Sequence, residues 1–176
     1  LSADTTGSQN TAYGRSSLVS NTTGANNTAS GYASLASNTT GNYNTASGMY
    51  SLYVNSTASN NTAMGYESLK ANTTGANNVA VGATAGLALT TGSQNVLIGE
   101  KAGDALTTAS DNVVMGRSAL GSDTLGSKSV AIGRSALFTQ NFTSATDTYN
   151  TAVGYGAGQS VTTGTINTLI GGLAGD

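Results

Sequence analysis

Residues able to do chemistry are few and scattered in this chain. Its 176 residues include 8 acidic and 6 basic side chains and no histidine or cysteine, for a formal net charge of −2. Lacking imidazole and thiol, it has no histidine general base, no cysteine nucleophile, no disulfide framework and no soft metal site. A catalytic carboxylate pair needs two acids held about 5–10 Å apart. Glu67 and Glu100 come nearest to such a pair, but they fall in different columns of the repeat described below and are expected on a solvated face. Asp104, Asp111, Asp123 and Asp147 lie near expected corners, where aspartate commonly caps turns. These features predict no catalysis, no cofactor and no metal site. Arg15, Arg117 and Arg134 share a column, but six scattered cations make no track for phosphates, so nucleic acid is not an expected partner. No apolar run approaches the roughly 18 residues of a spanning helix, so no membrane insertion by this segment is expected.

Recognition chemistry is better represented. Tyr32, Tyr66 and Tyr155 each follow a repeated glycine, with Tyr43, Tyr50 and Tyr53 nearby. A tyrosine ring offers a large contact area at low entropic cost, which makes these three residues candidates for stacking on a glycan. The plainer reading is that the rings cover edges of the fold and bond through their hydroxyls. The second candidate is the stretch 138–149, which contains both phenylalanines of the chain, Phe138 and Phe142, and ends on Tyr149. These three residues are candidate receptor contacts; the plainer alternative is a bulge tucked on the body. The Asn-x-Thr triplets at Asn21, Asn38 and Asn72 match glycosylation acceptors, but they follow from the repeat.

What must position these residues is the repeat itself. Gly, Ser, Thr and Asn make up about half of the chain and proline is absent, yet the net charge is far too low for a disordered polar tract. A block of the form Asn-Thr-Ala-x-Gly recurs ten times, with its glycine at 14, 31, 48, 65, 82, 99, 116, 133, 154 and 171. The interval is 17 residues except between Gly133 and Gly154, where it is 21. Such self-similarity marks a solenoid. The expected fold is an all-β parallel β-solenoid or β-roll of ten 17-residue turns, a single array over 1–176 with an insertion at 138–149. The abrupt start at Leu1 and the stop inside a repeat suggest a segment excised from a longer fibre. In Asn78-Val79-Ala80-Val81-Gly82, strand alternation sends the two valines to one face and Ala80 to the other. The larger side chains are expected inside: Val81, Ile98, Met115, Ile132, Val153 and Ile170 would form an interior column facing Leu69, Leu120 and Leu137. The asparagines would form a corner ladder, and the Thr-Thr-Gly stretches the opposite corner.

A rod with so thin a core needs a surface shared with neighbours. The Ala/Gly face is the expected contact, and three rods about an axis would bury it, giving an intertwined or side-by-side homotrimer. Ser129-Val130-Ala131-Ile132-Gly133 and Asn150-Thr151-Ala152-Val153-Gly154-Tyr155, with recurring Ser-Leu or Ala-Leu before Asn-Thr-Thr-Gly, resemble two related groups. One is the head repeat of trimeric autotransporter adhesins; the other is the repeat array of bacteriophage tail fibres and similar trimeric fibres. The resemblance implies an extracellular structural and adhesive segment of a trimeric fibre, on a virion or a bacterial surface, attaching to a host or target cell. Its implied partners are its own copies and a cell-surface glycan or protein receptor. The alternative within the same resemblance is a pure spacer shaft with receptor binding elsewhere. The threonine column Thr6, Thr23, Thr40, Thr57, Thr74, Thr91 and Thr108 raises an ice-binding solenoid as a weaker alternative, because Thr-Thr neighbours on a strand point to opposite faces.

Overall fold

The structure, a computed structural model, describes Ala3 and residues 5–176; Leu1, Ser2 and Asp4, which the 1–176 array includes, lie outside the described residues. The chain winds as an all-β parallel β-solenoid of about nine turns, without helices among the described residues. Each full turn contributes one three-residue strand to a single sheet: β1 (Thr11–Tyr13), β2 (Thr28–Ser30), β3 (Thr45–Ser47), β4 (Thr62–Met64), β5 (Val79–Val81), β6 (Val96–Ile98), β7 (Val113–Met115), β9 (Val130–Ile132), β11 (Thr151–Val153) and β12 (Thr168–Ile170). Two further strands, β8 (Gly126–Ser127) and β10 (Thr146–Asp147), pair apart from it, also in parallel. Sheet order follows chain order. Register follows the repeat: Thr28, Ala29 and Ser30 pair with Thr45, Ala46 and Ser47, and across the insertion Val130 pairs with Thr151.

The two faces of the sheet are the reverse of those expected. In the strands of the long sheet between the two end coils the central residue points inward: Ala29, Ala46, Ala63, Ala80, Leu97, Val114, Ala131 and Ala152 are fully buried. Val81, Ile98, Met115, Ile132, Val153 and Ile170 stand on the outer face, half-buried or exposed. The expected interior column is therefore wrong by one residue, as is the expected role of the Ala face as an intermolecular contact. The physical reason is the return side of the coil. Leu18, Leu35, Leu52, Leu69, Leu120 and Leu137 are all fully buried and fill the coil from that side, leaving room for little more than a methyl group opposite. Where the strand carries Leu97 instead, the return side carries glycines: a Cβ on Gly86 would lie 2.7 Å from Leu97 Cδ1, and one on Gly103 would lie 2.9 Å from Leu97 Cδ2. Large and small side chains thus trade places across a narrow coil at constant volume. Leucine and glycine can share this column because its backbone is left-handed throughout, with φ +48° at Leu69 and +60° at Gly86.

Two asparagine ladders brace the corners. In the first, the backbone N–H of each asparagine donates to the side-chain oxygen of the one a turn earlier: Asn61 to Asn44 at 3.0 Å and Asn78 to Asn61 at 2.9 Å. The Asn61 amide also donates to the Gly75 carbonyl at 2.9 Å. The second ladder climbs through Asn21, Asn38, Asn55 and Asn72, with side-chain amide bonds of 2.8, 2.9 and 3.1 Å. It stops where Leu89 takes the next rung, leaving the Asn72 side-chain oxygen buried without a hydrogen bond. Beyond it, Leu89 and Leu106 fill the corner by packing. Replacing Asn61 by alanine strands the Asn78 N–H inside the coil, while the Gly75 carbonyl keeps its second donor, the Asn72 amide at 2.9 Å. With a desolvation cost of roughly 1–3 kcal/mol for the one orphaned group, urea denaturation should register a loss of that order.

Candidate functional site

The charged residues are dispersed and mostly engaged. Glu67 pairs with Lys70 at 2.6 Å, Glu100 with Arg117 at 3.2 Å and Asp147 with Lys128 at 2.6 Å. Partial burial raises the pKa of the Asp104 carboxyl above its usual range. Among the described residues, no three acidic side chains converge as a metal would require.

Asp123 lies inside the coil, fully buried. Its carboxylate accepts the Gly126 N–H at 3.0 Å, the Phe142 N–H at 3.2 Å and the Gln140 amide at 2.7 Å. Gln140 in turn accepts from the Asn150 amide at 2.8 Å and donates to Ser129 Oγ at 3.0 Å, which also bonds Thr148 Oγ1 at 2.6 Å. This knot substitutes for the regular ladder where the extra residues enter, and its backbone and side-chain partners leave the carboxylate no open side for chemistry.

Above the knot, the insertion folds back on the rod. Its β10 segment pairs with β8 of the preceding turn. Phe142 is tucked in, only 7% exposed, and Thr148 is fully buried. Phe138 lies over Gly121, where an added Cβ would sit 3.1 Å from its ring. Tyr149 is 54% exposed and lies under the Lys128 ammonium, 5.3 Å from its ring centroid. Of the three candidate receptor contacts, Phe138 and Tyr149 therefore present surface and Phe142 anchors the loop. The solvent-facing tip between them is Thr143, Ser144 and Ala145.

The tyrosines divide. Tyr155 is exposed with the Arg134 guanidinium 5.7 Å above it, and Tyr66 is exposed without a ring partner among the described residues. Tyr32 joins a cluster that only the coiling reveals: it meets Tyr50 edge to face, with centroids 5.4 Å apart, and Tyr50 meets Tyr53 in the same way at 5.3 Å. Lys70 hangs over Tyr50, 5.5 Å from the centroid. Partial burial, then the adjacent Tyr32 phenol, raise the Tyr50 pKa above its usual range. Reading by columns would have set Tyr50 and Tyr53 beside Glu67 and Lys70, one 17-residue period on, but not beside Tyr32, which is 18 residues before Tyr50. The Thr-Thr corner does not form a flat double array: Thr22, Thr39, Thr73, Thr90 and Thr107 turn their hydroxyls along the rod to carbonyls one turn on.

The most extended feature is the outer face of the long sheet. From β4 to β12 its two outward columns read Thr62/Met64, Val79/Val81, Val96/Ile98, Val113/Met115, Val130/Ile132, Thr151/Val153 and Thr168/Ile170. No charged side chain interrupts them, and Met64 is 47% exposed. Between β1 and β3 the same columns carry Thr11/Tyr13, Thr28/Ser30 and Thr45/Ser47, a polar continuation of the strip. No protein-family model, curated protein or solved structure matches this chain.

Proposed function

We propose that this chain is a structural and adhesive segment of a trimeric fibre exposed on a virion or bacterial surface, and that its copies join through the outer face of the long sheet. The observation that carries the assembly is the uncharged apolar strip from Met64 to Ile170, which one rod leaves half-buried or exposed along its length. Long, continuous apolar strips of this kind mark protein contacts. Three identical strips can close around a threefold axis and bury one another, and rods in parallel register set valine and isoleucine against their like and polar rungs against polar rungs. The resemblance of the repeat to trimeric fibre proteins supports both the number of copies and the attachment role.

Within such a fibre, the exposed insertion tip and the tyrosine cluster are the surfaces that could meet a cell. The spacer reading draws on Phe142, whose buried ring ties the insertion to the rod. Light scattering at micromolar concentration should report close to three times 17.3 kDa. Ile98→Asp, which places a charge on the strip, should yield monomers that keep the β-sheet circular dichroism of the parent. A monomeric parent chain would overturn the assembly.

A further inference from the structure

We infer that the tyrosine cluster formed by Tyr32, Tyr50 and Tyr53 with the Glu67–Lys70 pair is a binding platform for neutral oligosaccharides. The inference rests on the adhesive reading above and names the ligand class it would serve. Tyr32 follows β2, Tyr50 and Tyr53 follow β3, and Glu67 and Lys70 follow β4, so three successive turns build the patch. The two edge-to-face contacts, at interplanar angles of 85° and 86°, hold each ring by its neighbour. Rings fixed before binding lose little freedom on binding, which favours a ligand that makes few contacts per residue. Tyr32 stays 41% exposed and Tyr53 36% exposed.

The charges select among ligands. Lys70 already occupies the neighbourhood of the Tyr50 ring and would repel a cation approaching it. Glu67, 2.6 Å from Lys70, cancels its charge and would disfavour an anion. No enclosed pocket exists among the described residues to seat an apolar side chain, as the anchor of a protein partner would require. A neutral ligand with a flat apolar face and a rim of hydroxyls fits all three conditions. A sugar ring has this form: its C–H face stacks on tyrosine while its hydroxyls bond to carboxylate, ammonium and phenol. Copies in one fibre would add weak single contacts by avidity.

The chain has no tryptophan, so its intrinsic fluorescence reports tyrosine directly. The test titrates the 176-residue chain with linear hexasaccharides of neutral hexoses and of N-acetylhexosamines, reading tyrosine fluorescence and saturation transfer to sugar ring protons. Binding should be seen with at least one hexasaccharide, weakened about tenfold by Tyr53→Ala and held within about threefold by Tyr53→Phe, which keeps the stacking face. Thr163→Ala, at an exposed corner near β12, should bind like the parent. If Tyr53→Ala loses the fold by circular dichroism, Tyr32→Ala takes its place with the same expectation. Absence of binding to every hexasaccharide, or equal binding by parent and alanine variants, overturns the platform. Adhesion of the parent chain to cells that survives periodate oxidation of their glycans also overturns it, while leaving the adhesive reading intact with a protein receptor. Loss of all cell adhesion with oligosaccharide binding retained overturns the adhesive reading alone.

Discussion

Gly99→Val should cost the chain more than about 4 kcal/mol, enough to leave it unfolded or insoluble at 25 °C. Two separate penalties meet at this position. Its φ of +129° lies where side-chain-bearing residues are strained. A Cβ there would also stand 2.7 Å from the carbonyl carbon of Gly116 in the next turn, and backbone stacked on backbone cannot step aside. The same column offers its own control. Gly171 has an equivalent φ of +126°, but its nearest neighbour to an added Cβ is Ala174 at 4.0 Å. Gly171→Ala should therefore show the conformational penalty alone, on the order of 1 kcal/mol. Equal losses in the two variants, measured by urea denaturation, would show that close stacking is not what selects glycine here.

Ala80→Arg should unfold the chain, whereas Val81→Arg, like Ile98→Asp, should give a monomer that keeps the parent's β-sheet circular dichroism. The two residues are adjacent, and their burial alone separates them. Ala80 is fully enclosed and faces the return side of the coil, so a guanidinium there would have to be buried without a partner. Val81 is only half-buried on the outer face of a single rod, where an arginine head can reach water once the copies have parted. Circular dichroism and thermal melting read the contrast directly. A folded Ala80→Arg beside an unfolded Val81→Arg would restore the opposite assignment of faces.

That contrast marks the limit of what the sequence disclosed. The 17-residue period, the parallel in-register stacking and the asparagine corner could all be read from spacing, because each follows from one residue type recurring at one position. Which strand face turns inward could not be read that way. Val-Ala-Val offers two alternating sets, and the reasonable assumption that bulk goes inside fails when the opposite wall supplies the bulk. Leu69, placed by a left-handed backbone, fills the space that Val81 would have needed. The corrective signal was present in the paired exchange at Leu97, Gly86 and Gly103, where a strand leucine coincides with return-side glycines. The candidate surfaces were legible to a similar degree. Tyr32 could be named from its place after the glycine, but its partner Tyr50, one place off the 17-residue period, emerges only when neighbouring turns are stacked. Phe142 was singled out for its apolar ring, and that same property buries it above the polar knot of Asp123 and Gln140.

The winding also fixes how the rod answers a pull along its length. Its strands run across the axis, so the hydrogen bonds between turns lie parallel to the load and each coil is tied only to the next. Tension applied to the two ends of one chain opens these ties in succession instead of shearing many at once. A coil that peels away exchanges a rise of about 4.8 Å for roughly 55 Å of extended chain. The coils behind it stay wound, because none depends on a contact from further along. A lone rod is thus an extensible tether that yields in small, repeatable steps. Rods bound side by side along the valine and isoleucine strip would share the load and stiffen, making lateral association the setting that decides between give and rigidity.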